Sequence, residues 1–372
     1  LARRGYRVVY FEPLASGRGN RPGAREEDGV TVITVPFLKT NTKQPLYNAA
    51  IEWPPVRGLI ESVAAGAVRK GLDALGVARP DVAFVSNVYA GKALSAAGAR
   101  LICYDFNDHP LQFAGVPSWA GGYLTRMLSR ADVIVAVSAH YARRLRAEAT
   151  APVVVIGNGV EFDAFAHPAR AVPERVRGIR TPRVGYVGKV SHFLDFGVLE
   201  RLADHGAFEL VVVGPLPDET SRDVSRLRQR AHAHVVGEVP YPEVAAALHG
   251  LDVALIPFRA GDPYTVGINP NKLYQYWAAG LPVVSSPIAD VSADGAGLSF
   301  AESPAAFEEA VLRTLATPPD KGAIRARARA HDWDAIADRL AGLLDAALAA
   351  KESGASVRAE DVSRCGQDEG GA

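Results

Sequence analysis

Two short segments concentrate the side chains that could do chemistry. Tyr104-Asp-Phe-Asn-Asp-His-Pro110 sets the carboxylates of Asp105 and Asp108 and the imidazole of His109 at the end of a predicted strand. Such groups at a strand C-terminus can hold a hydroxyl or take its proton. Asp108 and His109 are the leading candidates, ahead of Asp105. Asp105, Asn107 and Asp108 before Pro110 also suit plain turn capping, so both readings stand here. The second segment is Asn269-Pro-Asn-Lys272, where a loop enters a predicted helix. Free backbone N–H groups and the positive helix end point at an anion there. Lys272 adds a full charge in the first turn, where a cation opposes the macrodipole and contributes nothing to stability. That combination favours anion binding over a solvated lysine.

Other chemistries find less support. His232-Ala-His234 is too isolated for a metal site and reads as surface histidine. Cys103 and Cys365 are the only cysteines, far apart, so there is no disulfide framework and no cysteine metal site. Gly185–Gly188 falls short of the dinucleotide fingerprint, which argues against a nicotinamide enzyme.

The 372 residues, 48% hydrophobic and 22% charged, suit a globular chain of two domains. Lys and Arg number 41, as do Asp and Glu, so the net charge is zero, which argues against a nucleic-acid binder. Residues 1–165 carry 19 basic and 14 acidic residues (+5) and residues 166–372 carry 22 and 27 (−5). That asymmetry suits a first half that meets anionic surfaces, and chance scatter over two domains accounts for it as well. No apolar run approaches the roughly 18 residues of a membrane span, and nothing reads as a signal peptide; a cytoplasmic protein is expected.

These residues need elements to position them. Leu1–Phe11 reads as a helix end, a Gly5 cap and a strand, so a preceding strand and loop are expected before Leu1. Strands follow at Thr31–Phe37, Val82–Ser86, Arg100–Tyr104, Val133–Val137 and Val153–Ile156, with helices at Arg57–Leu75, Gly121–Arg130 and Ala139–Ala149. Leu59, Ile60, Val63, Val68, Leu72 and Leu75 form the apolar side of the first helix. Pro168–Pro182 reads as a linker. Further strands are expected at Arg183–Val187, Glu209–Val213, His234–Val236, Val253–Ile256 and Pro282–Ser285. Helices are expected at Val198–Asp204, Ser221–Ala231, Pro242–His249, Asn271–Ala279, Pro304–Leu315 and Trp333–Ala350. Near-continuous Val/Ile strands between helices indicate parallel sheets covered on both faces.

Several segments then fall into a known order. Val155-Ile-Gly-Asn-Gly-Val160 with Phe162-Asp-Ala-Phe165, Val184-Gly-Tyr-Val-Gly188, Val211–Pro215, Val236–Tyr241 and Leu251–Phe258 lead to Asn269-Pro-Asn-Lys-Leu-Tyr-Gln-Tyr-Trp-Ala-Ala-Gly-Leu-Pro-Val-Val284. The set resembles group 1 (family 4-like) glycosyltransferases over about residues 5–345. The resemblance implies an α/β chain of the GT-B fold, two facing Rossmann-like domains with parallel sheets and a cleft between them. It divides the chain into an N-terminal acceptor domain (1–167), a linker (168–182), a nucleotide-sugar domain (183–330), a helix crossing back (331–350) and a disordered tail (351–372).

By the same resemblance, a sugar would pass from a nucleoside-diphosphate donor to a saccharide, lipid-linked or small-molecule acceptor, in cell-envelope or exopolysaccharide biosynthesis. No metal or other cofactor is implied, and retention of anomeric configuration is. Charge growing on the leaving diphosphate needs cations and aimed N–H groups. The donor site would comprise Gly188, Lys189, Val239 (through its backbone), Thr265, Asn269, Lys272 and Gln275. Lys189 also reads as a solvated loop lysine, and Thr265 as a plain loop threonine. Gln275 stands where the family commonly has a ribose-binding Glu, and its NH₂ can only donate. No second lysine follows within Val190–Phe196. A non-catalytic binding protein on this scaffold and a sugar-nucleotide epimerase are the competing readings. Trp119, Tyr123, Leu124 and Met127 with Arg126 and Arg130 suit either peripheral contact with an anionic membrane or ordinary helix packing.

Overall fold

The computed structural model describes residues 1–14, 23–40, 42–112, 115–262, 265–293, 295 and 297–354. The chain forms two compact units: Leu1–Ile156 with the residues from Ala337 on, and Gly157–Ile336.

Unit 1 carries two sheets. In one, β1 (Val8–Pro13) lies parallel to β3 (Val30–Val35), and β2 (Ala24–Glu27) pairs antiparallel with β3. β2 lacks any apolar run, so periodicity does not predict it. Arg25 on this strand is held instead by Glu12 of β1 at 2.6 Å. The other sheet is parallel, in the order β4 (Val82–Val85), β5 (Leu101–Phe106), β6 (Val133–Ala136) and β7 (Val153–Val155). Around the sheets lie α1 (Pro45–Ala50), α2 (Pro54–Ala74), α3 (Gly91–Ala97), α4 (Ala120–Arg130) and α5 (Ala139–Glu148).

Two details of these helices differ from the apolar pattern. On α2, Ala64, Val68 and Leu72 face the core, whereas Leu59 and Val63 are 65% and 52% exposed. Val68 and Leu72 are buried as expected, and only Leu59 and Val63 fall outside the stripe, where small Ala64 clusters with Ala93 and Ala97 of α3. On α4, Leu124 and Met127 are buried beside Tyr104 and Ile134, so that pair is engaged in core packing.

Unit 2 is built on one parallel sheet in the order β10-β9-β8-β11-β12-β13. Its strands are β8 (Arg183–Val187), β9 (Glu209–Val213), β10 (Ala233–Gly237), β11 (Val253–Ile256), β12 (Val283–Ser285) and β13 (Leu298–Phe300). Its helices are α6 (Phe162–Ala166), α7 (Glu174–Arg177), α8 (Phe196–Asp204), α9 (Ser221–Leu227), α10 (Tyr241–Leu248), α11 (Asn271–Ala278), α12 (Pro304–Ala316) and α13 (Lys321–Arg329). β8, β9 and β11 are almost wholly buried, as expected of strands covered on both faces.

The boundary differs from the expected 167/168. Phe162, Phe165 and Val176 are buried in the core of unit 2, so the segment from Gly157 through the expected linker belongs to that unit. The last helix, α14 (Trp333–Glu352), starts in unit 2 and continues in unit 1. In unit 1 its Asp338 pairs with Arg4, its Asp345 accepts from the Tyr6 hydroxyl at 2.6 Å, and its Lys351 meets Asp132 at 2.5 Å. Lys351 and Glu352, expected in the tail, are helical; the remainder of that tail from residue 355 lies outside the described residues.

Candidate active site

In unit 2 the carboxyl ends of three adjacent strands finish on glycine. Gly188 after β8, Gly214 after β9 and Gly237 closing β10 have φ of +149°, +140° and +83°. A Cβ on Gly214 would stand 2.1 Å from the Gly188 carbonyl oxygen, so this close approach requires glycine. The Gly188 N–H bonds to Val213 and the Gly214 N–H to Gly237, at 2.9 and 2.8 Å. Gly188 and Gly214 therefore serve the close approach of β8 and β9, and Gly237 alone has open space where a side chain would stand. Ligands of open α/β sheets bind at such strand ends.

The start of α11 reaches the same place. Pro270 occupies its N-cap, and no side chain caps it. Lys272 extends to Gly188, where a Cβ, if the residue had one, would lie 3.4 Å from Nζ. The ammonium stands over the rings of Tyr186 and Phe258, 4.6 and 5.0 Å from their centroids. It donates to the Tyr186 hydroxyl at 2.8 Å, and that hydroxyl donates to the Lys189 carbonyl at 2.8 Å. No carboxylate of a described residue lies within ion-pair distance of Lys272. Burial alone pushes its pKa down to about 7. The buried Tyr276 on the next turn fixes the strand end: its hydroxyl donates to the Val187 carbonyl and accepts from the Val187 N–H, at 2.8 and 2.9 Å.

The remaining donor-site candidates fall in different situations. Asn269 is buried, and its Oδ1 accepts from the Asn158 N–H at 3.1 Å while its carbonyl accepts from Asn158 Nδ2 at 2.6 Å. This side chain ties the Gly157–Gly159 turn to the start of α11. The Thr265 hydroxyl donates to the Asp262 carbonyl at 3.1 Å, closing its own loop. Lys189 is exposed next to Gly188, Gln275 is half-buried one turn beyond Lys272, and Val239 is buried just after β10. The structure thus brings Gly188, Lys189 and Lys272 together. Tyr186, Phe258 and Tyr276 escape sequence reasoning, because an aromatic within a strand or on a helix face reads as core.

In unit 1, Asp105 follows the buried Cys103 and Tyr104 on β5. Burial, and then the charge of Asp108, push its pKa up to about 6. Burial raises Asp108 as well. His109 is 5% exposed and packs edge-on against Phe106. Its Nδ1 accepts from the Leu111 N–H at 3.3 Å, which assigns the neutral ring's proton to Nε2. Burial, then the Arg144 charge, hold its pKa below the usual imidazole value. The two aspartates can accept protons or hydroxyl hydrogen bonds; His109 offers a donor. A cavity of about 340 Å³ adjoins the segment at Pro110, with Thr40, Asn87 and Tyr89 among its walls.

His232 and His234 are not simple surface residues: both hydrogen-bond to the buried carboxylate of Glu209, at 3.4 and 2.8 Å. Among the described residues no group of three or more His, Cys, Asp or Glu is placed to hold a metal ion. Nor is any described helix long and apolar enough to cross a membrane.

Comparison with known proteins adds to this geometry. A model of the glycosyl transferases group 1 matches residues 182–317, and one of glycosyltransferase family 4 matches residues 1–164. TuaH of Bacillus subtilis, whose name assigns it to teichuronic acid biosynthesis, is 29% identical over 175 residues, 45% of this chain and 43% of TuaH. The chain therefore aligns with less than half the length of that relative. Among solved structures, sucrose-phosphate synthase from Thermosynechococcus elongatus is similar with a TM-score of 0.71 at 17% identity, over 94% of this chain and 91% of that one. Anabaena HepE in complex with UDP and glucose gives 0.60 at 16% identity, over 85% and 86%.

Proposed function

Because the chain belongs to the group 1 glycosyltransferases and has the GT-B fold, we propose that it moves a sugar from a nucleoside-diphosphate donor held by unit 2 to a saccharide or lipid-linked acceptor recognised by unit 1. The carrying observation is Lys272, a cation without a carboxylate, set among aromatic rings at an uncapped helix N-terminus beside Gly188. A lysine held half-buried without a counter-charge costs stability, and a diphosphate is the counter-charge that fits the site. HepE, a relative in fold, is solved with UDP and glucose. TuaH is named for teichuronic acid biosynthesis, and a cell-envelope polysaccharide is the product proposed for this chain.

The chemistry follows from the charges. As the glycosidic bond breaks, negative charge grows on the departing diphosphate, and Lys272, Lys189 and the α11 N-terminus stabilise it there without a metal. At Gly188 the missing side chain leaves the Lys272 ammonium at the strand end, and at Gly237 it leaves the backbone open to a phosphate. The acceptor oxygen bonds to the anomeric carbon on the face the diphosphate leaves, and Asp105 or Asp108 takes up the hydroxyl proton. Retention of anomeric configuration is part of the proposal.

Thermal shifts with UDP-, GDP- and dTDP-sugars test it. One donor class should stabilise the parent and lose its effect in Lys272→Met, and the parent should release nucleoside diphosphate when acceptor is added. If Lys272→Met binds every nucleotide-sugar as well as the parent does, the donor site lies elsewhere. Gln275 favours a second reading, a protein that binds the donor without transferring it. Donor binding with no nucleotide release would select that reading.

A further inference from the structure

Unit 1 holds a second cavity, of about 350 Å³, between α2, α3 and α4. Glu61, Lys92, Tyr123, Arg126 and Arg130 line it. Most of their polar groups already have partners. Lys92 Nζ donates to the Gly58 carbonyl at 2.8 Å and to the Ser62 hydroxyl at 3.0 Å. Arg130 donates to the Gly91 carbonyl and the Ser95 hydroxyl, at 2.7 and 3.0 Å. The Tyr123 hydroxyl is engaged with Glu61 and Arg57; burial, then the Glu61 contact, push its pKa up to about 12.

Two groups are left over. The Glu61 side chain is only 11% exposed, and its Oε2 lies 3.8 Å from Lys92 Nζ. Its Oε1 is buried with no hydrogen-bond partner. A buried acceptor without a donor is costly, and native structures keep few of them. The other group is Arg126, exposed, its guanidinium 4.5 Å from the Tyr123 ring centroid. No guanidinium N–H of Arg126 is hydrogen-bonded to a described residue, so its planar fork is available for a carboxylate or phosphate. Tyr123 also belongs to an edge-on aromatic group with Tyr89 and Trp119, at 5.2 and 5.6 Å. Val88 lines this cavity and the one at Pro110 alike, so the two adjoin.

We propose that this cavity is an acceptor subsite for an acidic sugar unit: Glu61 Oε1 accepts a ring hydroxyl, and Arg126, held over the Tyr123 ring, pairs with the acid group. The choice of a saccharide rests on the glycosyltransferase reading; the need for a hydroxyl and an anion rests on Glu61 and Arg126 alone. The volume is within the range of small-molecule sites.

Calorimetry with trigalacturonate, glucose 6-phosphate and neutral maltotriose tests the subsite without any donor present. At least one acidic probe should bind about tenfold or more tightly than maltotriose, the two probes separating carboxylate from phosphate recognition. Arg126→Ala, an exposed change, should remove that preference, and Glu61→Gln should weaken binding of acidic and neutral probes alike. If neither acidic probe binds preferentially, or if Arg126→Ala leaves the preference intact, the subsite is overturned. Nucleotide-sugar shifts are measured on the same protein: donor binding without an acidic preference sinks the subsite alone, and acidic preference without donor binding sinks the transferase reading alone.

Discussion

Lys272 of α11 and Tyr186 of β8 are joined by a 2.8 Å hydrogen bond that gives the half-buried lysine an acceptor but no counter-charge. Its pKa of about 7 contrasts with about 10.4 in an unfolded chain. Between those pH values the unfolded chain binds the extra proton, so stability falls as pH drops from about 10 to about 7 and is level below that. Lys272→Met should therefore be more stable than the parent at pH 7, by on the order of 1 kcal/mol or more, with the gain gone near pH 10.5. Urea titrations at both pH values check this, and a less stable variant at pH 7 would contradict it. Diphosphate binding restores the charge, so donor affinity should weaken as pH rises through 7, and Lys272→Arg should flatten that profile.

Gly214→Ala should be severe. The new methyl would meet the Gly188 carbonyl at 2.1 Å while the backbone stays at φ +140°. A loss of about 2–4 kcal/mol in chemical denaturation is expected, with donor binding impaired in whatever remains folded. Gly237→Ala has no atom within 4 Å of its new methyl, so the φ of +83° is its sole penalty, and the loss should be smaller. Equal losses for the two variants would mean that the β8–β9 approach is not the limiting constraint.

Asp105 should separate stability from turnover. Its carboxyl titrates near 6 in the folded chain and near about 3.9 unfolded. The unfolded chain gives up this proton first, so the folded state loses stability as pH rises from about 4 to 6 and then holds level. Asp105→Asn should gain on the order of 1–2 kcal/mol at pH 7 and nothing below pH 4. If the residue handles the acceptor proton, turnover should fall roughly 10²–10⁴-fold in the same variant. Full activity in Asp105→Asn with loss in Asp108→Asn would move the role to Asp108.

Glu209 behaves in the opposite sense. Burial disfavours its charge, yet hydrogen bonds from His234, Arg180 and His232 prevail and hold the carboxyl at about 2. Its stabilisation is complete above about pH 4.5 and is lost as pH falls toward 2. Glu209→Gln should lower stability at pH 7 by about 1–2 kcal/mol, since the amide keeps one acceptor oxygen but loses the charge that the hydrogen bonds from His234, Arg180 and His232 meet, and should leave nucleotide binding unaffected. Melting curves from pH 2 to 7 should converge at the acid end.

How much of the fold and site is legible in the sequence depends on what each segment buries. β8, β9 and β11 are uniform Val/Ile/Leu runs, so their limits can be read directly. β2 is Ala-Arg-Glu-Glu and owes its place to Arg25 pairing with Glu12, a contact that exists only once β1 and β3 are formed. α13 is hidden for a similar reason: among its many arginines only Ile324 and Ala328 are buried. Lys272 stands out because its charge contradicts its position, whereas its partner Tyr186 looks like any strand aromatic. The unpartnered oxygen of Glu61 has no counterpart in sequence, since an acidic residue within a helix reads as solvated.

α14 enters unit 1 only after the chain has left it at Ile156 and traversed the whole of unit 2. On a ribosome, therefore, unit 2 can finish folding while unit 1 still waits for the helix that supplies Asp338, Asp345 and Lys351 to Arg4, Tyr6 and Asp132. During that interval the unit 1 surfaces that α14 will cover are open to chaperones and proteases. Synthesis halted just before Ala337 should leave a nascent chain with a protease-resistant Gly157–Ile336 core and a susceptible unit 1.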